Sequence, residues 1–172
     1  ADGNIKIENE STIEFETSKN VKVEVSASDG NDETQNADLG LKITKDGVEL
    51  STSDGNDIVI NDVVYENAGE AQDDFIIVVD PEGDAILKEG TTTISDGNNI
   101  TLPADTNGNK GSTIMSPDGE VTVADDGTVM VPENQTTVSI TSPNGTKNTF
   151  VTEEDNVKIS CPAGGNVPTL ED

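Results

Sequence analysis

The feature that most constrains this chain is a phrase of strand, tight turn, strand, acidic turn and strand, clearest in "STIMSPDGEVTVADDGTVMV" from Ser112 to Val131. It can be laid over "LKITKDGVELSTSDGNDIVI", "FIIVVDPEGDAILKEGTTTI" and "TVSITSPNGTKNTFVTEEDNVKI", with a looser copy in "TIEFETSKNVKVEVSASDGND". The first turns centre on Asn20, Gly47, Gly83, Gly119 and Gly145. A second echo runs through the same region: "VEVSASDGND", Val23 to Asp32, returns as "VELSTSDGND", Val48 to Asp57, and "SDGN" recurs from Ser95 to Asn98. Five copies of one supersecondary unit impose a repeated local geometry before any tertiary contact is considered.

The turn residues explain the recurrence. Lys-Asp-Gly, Pro-Glu-Gly, Pro-Asp-Gly and Pro-Asn-Gly each end on a residue that takes positive φ at no steric cost, and proline pre-sets φ ahead of it in three of them. Between the turns apolar residues alternate, as in Ile5/Ile7, Ile13/Phe15, Val21/Val23/Val25, Leu41/Ile43, Ile58/Ile60, Val121/Val123, Val129/Val131, Val138/Ile140 and Val157/Ile159. That period of two is the mark of a half-buried strand, and no sustained helical period competes with it. The run Phe75 to Val79 is apolar on both faces and is predicted to be a central strand. The expected fold is all-β: mainly antiparallel strands in repeated hairpin-like units forming one or more β-sandwich-like modules. Uneven spacing of the turns favours hairpins with adjustable loops over a β-solenoid, the alternative architecture. Residues 1–172 read as one continuous β-rich region, with a candidate sub-boundary at 103–112 that would give 1–102 and 113–172.

Composition narrows the function. The chain carries 35 acidic residues against nine basic ones, all lysine, for a formal charge of -26. Without arginine or a basic patch it is unsuited to nucleic acid or anionic membranes, and like-charge repulsion makes cations welcome. There is no histidine and no tryptophan. A serine triad, a histidine zinc site and a cysteine–histidine nucleophile are therefore excluded by inventory. Paired carboxylates for glycoside hydrolysis would lack aromatic platforms, the aromatics being Phe15, Phe75, Phe150 and Tyr65 alone. No enzyme is expected. The single cysteine, Cys161, cannot form an intrachain disulfide and reads as a small buried residue. No apolar run approaches the length of a membrane-spanning helix, and a chain opening on Ala1 without Met is expected of a processed, exported protein or an excised domain.

Calcium is the chemical candidate, because it takes six to eight oxygens from carboxylates, amides and carbonyls in loops that glycine lets curl. Asp29, Asp32, Asp54 and Asp57 in the echoed loops, and Asp105, Asn107 and Asn109 in "DTNGN", offer such oxygens. The alternative for each is a turn former whose side chain bonds its own backbone. Asn9, Asn99, Asn134 and Asn144 open N-x-S/T glycosylation triplets. Ile5 and Ile7, in the alternating segment "NIKIEN", suit a strand donated to a neighbouring subunit. A Lys–Asn cross-link beside an acid is available chemically, although lysines also guard strand edges. These features give the leading expectation: a non-enzymatic structural or assembly protein outside the cell, such as a surface filament, pilus-like, surface-layer or adhesin subunit that self-associates. The alternatives are a calcium-dependent or carbohydrate-binding module and a phage or viral structural protein.

Overall fold

The computed structural model describes residues 4–7, 12–29, 39–52, 56–68, 74–95, 97–104, 110–132, 136–152, 157–161 and 170–171, with backbone alone at 4–7, 28–29 and 170–171. Every regular element among them is a β-strand, and none is a helix long and apolar enough to cross a membrane. Two compact units divide at Thr92/Thr93. The stretch 103–112 lies within the second unit, where it joins two strands that pair with each other.

The first unit contains β1 (Asn4–Ile7), β2 (Ile13–Glu16), β3 (Lys22–Asp29), β4 (Leu39–Thr44), β5 (Gly47–Thr52), β6 (Asn56–Ile60), β7 (Val63–Asn67), β8 (Phe75–Val79) and β9 (Ala85–Glu89), and β10 (Thr91–Ile94) spans the division. One sheet has the order β1-β4-β5-β8-β9 and the other β2-β3-β6-β7. These neighbours are antiparallel. The chain therefore lays down one hairpin in one sheet, the next in the other, and back again. Phe15 of β2 lines the same hollow as Leu41, Val48 and Val79 of the other sheet, so the two layers face each other as a sandwich.

The second unit contains β11 (Asn98–Thr101), β12 (Thr113–Ser116), β13 (Val121–Ala124), β14 (Thr128–Val131), β15 (Thr137–Thr141), β16 (Lys147–Val151), β17 (Val157–Ser160) and β18 (Leu170–Glu171). Its sheets run β11-β12-β15-β16 and β13-β14-β17-β18, again antiparallel. Antiparallel ladders fed by hairpins account for both units, and the stacked coils of a solenoid are not needed.

Alternation becomes burial along most strands, although Ile43 of β4 is 53% exposed and Ile13, Phe15 and Val21 are only half-buried. Val23 and Val25, Ile58 and Ile60, Val121 and Val123, Val129 and Val131, Val138 and Ile140, and Val157 and Ile159 are all buried. They meet across strands: Leu50 opposes Ile77, which opposes Leu87, and Val129 opposes Ile159. Each fully buried aliphatic side chain contributes roughly 1.5–3 kcal/mol, so these ladders form the core despite scarce aromatics. β8 is the expected central strand, with Phe75, Ile77, Val78 and Val79 buried between β5 and β9.

Three hairpins share one turn. Thr17 to Val21, Asp80 to Asp84 and Ser142 to Thr146 each pair the first N–H with the fifth carbonyl and the fourth N–H with the first carbonyl. The fourth residue is Asn20, Gly83 or Gly145, with φ of 65°, 90° and 91°. This is a type I turn closed by a left-handed bulge residue. The turn at Gly119 differs: β12 and β13 belong to different sheets, and Gly119 is not among the positive-φ glycines. Its missing Cβ instead makes room for the Thr136 side chain, which would lie 2.7 Å away. Asp118 Oδ1 accepts the Thr137 N–H at 2.8 Å, tying the crossing to the start of β15. The opening phrase of the sequence thus shares its residues with its relatives but crosses between sheets where they form hairpins.

Candidate functional site

The described carboxylates converge at the β8–β9 turn. "DPEGD" places Asp80, Glu82 and Asp84 on alternate positions, and ligand oxygens of the three lie within 4.8 Å of one another. Asp80 is 3% exposed, whereas Glu82 and Asp84 are exposed. Asp80 Oδ1 accepts the Glu82 N–H at 3.0 Å and the Asp84 N–H at 2.9 Å, so one of its oxygens shapes the turn. Glu82 forms a 2.5 Å ion pair with Lys19 of the β2–β3 turn, and Thr17 Oγ1 donates to the Pro81 carbonyl at 2.6 Å. Val21 would lie 2.9 Å from a Cβ on Gly83, so the two turns pack as a pair. Asp84 also adds to the burial of Tyr65 in pushing its hydroxyl up to about 12.

Beside this turn lies a hollow of about 270 Å³ with apolar walls, including Phe15, Leu41 and Val48, and with Asp80 on its lining. Ile43, 53% exposed, stands on its rim. An acidic turn next to an apolar hollow has the chemistry of a surface that takes a cation or a peptide segment.

The candidate calcium residues are distributed differently. Asp57 sits in β6, and its Oδ1 accepts the N–H of Asn67, at the far end of the neighbouring β7, at 3.0 Å, a cross-strand bond and not a local turn contact. Asp29 ends β3 opposite Asn56, and Ser28 stands opposite Asp57. The two echoed "SDGND" segments are therefore rooted on adjacent strands at the same end of their sheet. Asp32, Asp54, Asp105, Asn107 and Asn109 lie outside the described residues, as do Asn9 and Asn134. Ile5 and Ile7 lie in β1, opposite Leu41 and Leu39 of the same chain, at the edge of its sheet. Asn99 is exposed on β11 and Asn144 on the β15–β16 turn. Cys161 is buried, and burial pushes its thiol up to about 12, leaving it protonated and unreactive at neutral pH.

The Asp80/Glu82/Asp84 cluster was legible only as a turn. Its D-x-E-x-D alternation was the available signal, but proline and glycine in the same five residues announce a hairpin more strongly.

Fold and site together define an all-β sandwich-type chain built from alternating hairpins, with an acidic turn at one end of its first unit. No family model, curated protein or solved structure matches it.

Proposed function

We propose that this chain is a non-enzymatic structural component outside the cell, a surface filament, pilus-like, surface-layer or adhesin subunit whose copies join through strand edges. The observation that carries the proposal is β16. It closes one sheet of the second unit and is exposed along Lys147 to Thr149, with Val151 57% exposed. The bonded pairs Ser142/Thr146 and Thr152/Thr136 bracket it, so Asn148 and Phe150 bond to β15 while residues 147, 149 and 151 turn their backbone groups outward, where the Thr149 N–H meets Asn148 Oδ1 at 3.0 Å, an exposed local bond that an incoming strand must displace. An outward ladder of this kind accepts a strand from another molecule. β1 supplies a second edge in the first unit. Pairing of two different edges is heterologous, and heterologous contacts that do not close grow into filaments.

The test is sedimentation and electron microscopy across a concentration series, with and without millimolar calcium. Oligomers or filaments are expected, and Val151→Lys should weaken them by placing an isolated charge on the joining edge. A protein that stays monomeric under all these conditions contradicts the proposal.

The register of β3 and β6 favours a second reading, a calcium-binding module. Ser28 and Asp29 face Asp57 and Asn56, so both acidic loops leave from one place. Calorimetric titration with calcium tests it, and the absence of both heat and a shift in melting temperature removes it.

A further inference from the structure

We infer that Asn144 is an N-glycan attachment site of the folded chain, and that Asn99, which opens an equally good triplet, is not. The inference rests on the extracellular reading above.

Both triplets have the acceptor spacing, Asn144-Gly145-Thr146 and Asn99-Ile100-Thr101. Folding separates them. Pro143 to Thr149 are all exposed, the longest such run among the described residues. Asn144 stands at the tip of the β15–β16 hairpin, held by the Gly145 N–H to Ser142 and the Ser142 N–H to Thr146. Asn144 Oδ1 accepts the Thr146 N–H at 3.0 Å, which folds the acceptor amide back beside the third residue of its own triplet. Nothing lies within 4 Å of a Cβ built on Gly145, so the middle of the triplet is open to an approaching enzyme. Asn99 also has an exposed side chain, but its triplet is locked. Ile100 is fully buried, Thr101 is buried, and the Thr101 hydroxyl is 3.1 Å from that of Thr113. All three residues are paired in register with β12. A transferase must grip the whole triplet, so reaching Asn99 requires peeling β11 from its neighbour, whereas reaching Asn144 requires no unfolding.

The donor implied is a saccharide linked to a polyprenyl diphosphate. The Asn144 Nδ2 forms a bond to the anomeric carbon of the sugar and gives up one proton to solvent. The bond from that carbon to the diphosphate oxygen breaks, and the diphosphate leaves with the electron pair. No oxidation or reduction occurs.

The test offers the purified, folded full-length chain to an oligosaccharyltransferase and a lipid-diphosphate-linked oligosaccharide, with site occupancy read by mass spectrometry of proteolytic peptides. A parallel reaction uses the urea-unfolded chain diluted into the same mixture. Occupancy at Asn144 in the folded chain should exceed that at Asn99 by about tenfold or more, and the difference should collapse in the unfolded chain. Asn144→Gln and Thr146→Ala should abolish the Asn144 product, and Thr146→Ser should retain it. Equal occupancy at Asn99 in the folded chain overturns the inference, as does a folded chain left unmodified at Asn144. Because acceptor competence is measured on isolated protein, failure here leaves the assembly proposal to its own sedimentation test.

Discussion

The first residue of the repeated turn shows how a single side chain can be recruited or idle. Thr17 Oγ1 accepts the Lys19 and Val21 N–H groups at 3.3 and 3.2 Å, and Asp80 Oδ1 accepts the corresponding pair in its own turn. At the third copy the Thr146 N–H goes to Asn144 instead, and the buried Ser142 hydroxyl has no partner among the described residues. Thr17→Ala and Asp80→Ala should therefore each lower stability by about 1–2 kcal/mol in urea titrations, while Ser142→Ala should be neutral or stabilising. Equal losses at all three would show that the hydroxyl of Ser142 is engaged after all. Burial acts on Tyr65 in a different way. With the hydroxyl raised from 10.0 to about 12, first by burial and then by Asp84, the folded state holds its proton more tightly than the unfolded state does. Its contribution is complete below pH 10 and is lost as pH climbs toward 12, on the order of 2–3 kcal/mol in all. Cys161, raised from 9.0 to about 12, opens the same decline about one pH unit earlier. Urea midpoints from pH 8 to 12 should fall for the wild type and fall less for Tyr65→Phe.

At the scale of elements, what was legible in the sequence is what local geometry decides. The bulge turn needs a left-handed fourth residue, and Asn20, Gly83 and Gly145 announce it. Alternation likewise announced which residues of β3, β13 and β17 face the core. Sheet membership was not legible, because the choice of partner strand is made by distant residues. "SPDG" at Ser116 to Gly119 crosses between sheets, whereas "SPNG" at Ser142 to Gly145 closes a hairpin. The "SDGN" echoes, similarly, mark passages between sheets, as from β3 to β4 and from β5 to β6. Like the Asn20 turn, the β6–β7 hairpin carries no glycine, and here not even one bulge residue marks it: the strands turn on Asn61 and Asp62, with φ of 49° and 68°. Two successive positive φ values in a two-residue loop mark a type I′ turn, where Asn-Gly is the preferred pair. Asp62→Gly should accordingly raise stability by about 0.5–1 kcal/mol, read as a higher urea midpoint at unchanged slope. A loss would mean that Asp62 makes an interaction outweighing its backbone strain.

At the scale of the whole molecule the dominant fact is charge. A chain of 172 residues with a net charge of -26 folds against its own repulsion. Among the described residues the ion pairs Lys19–Glu82 and Lys88–Glu49 offset little of it, since exposed pairs are worth about 0–1 kcal/mol each. Screening must therefore matter more here than in a neutral protein, and the melting temperature should climb by several degrees as sodium chloride shortens the screening length from about 10 Å at 0.1 M to about 3 Å at 1 M. Calcium at matched ionic strength then separates two physical situations. If repulsion is relieved only by a diffuse ion cloud, calcium and sodium curves of equal ionic strength differ only by the stronger screening of a divalent ion, and the calcium effect fades at high salt. If the paired acidic loops at the ends of β3 and β6 chelate the ion, calcium adds a saturating increment that survives 1 M sodium chloride and disappears with EDTA. The same series, read by light scattering, links charge to assembly: edges of copies this acidic cannot approach until screened, so the onset of oligomers should follow the salt or calcium that first stabilises the fold. Oligomers that form best at low ionic strength would place the joining contacts away from the acidic surface and weaken the case for counter-ion control.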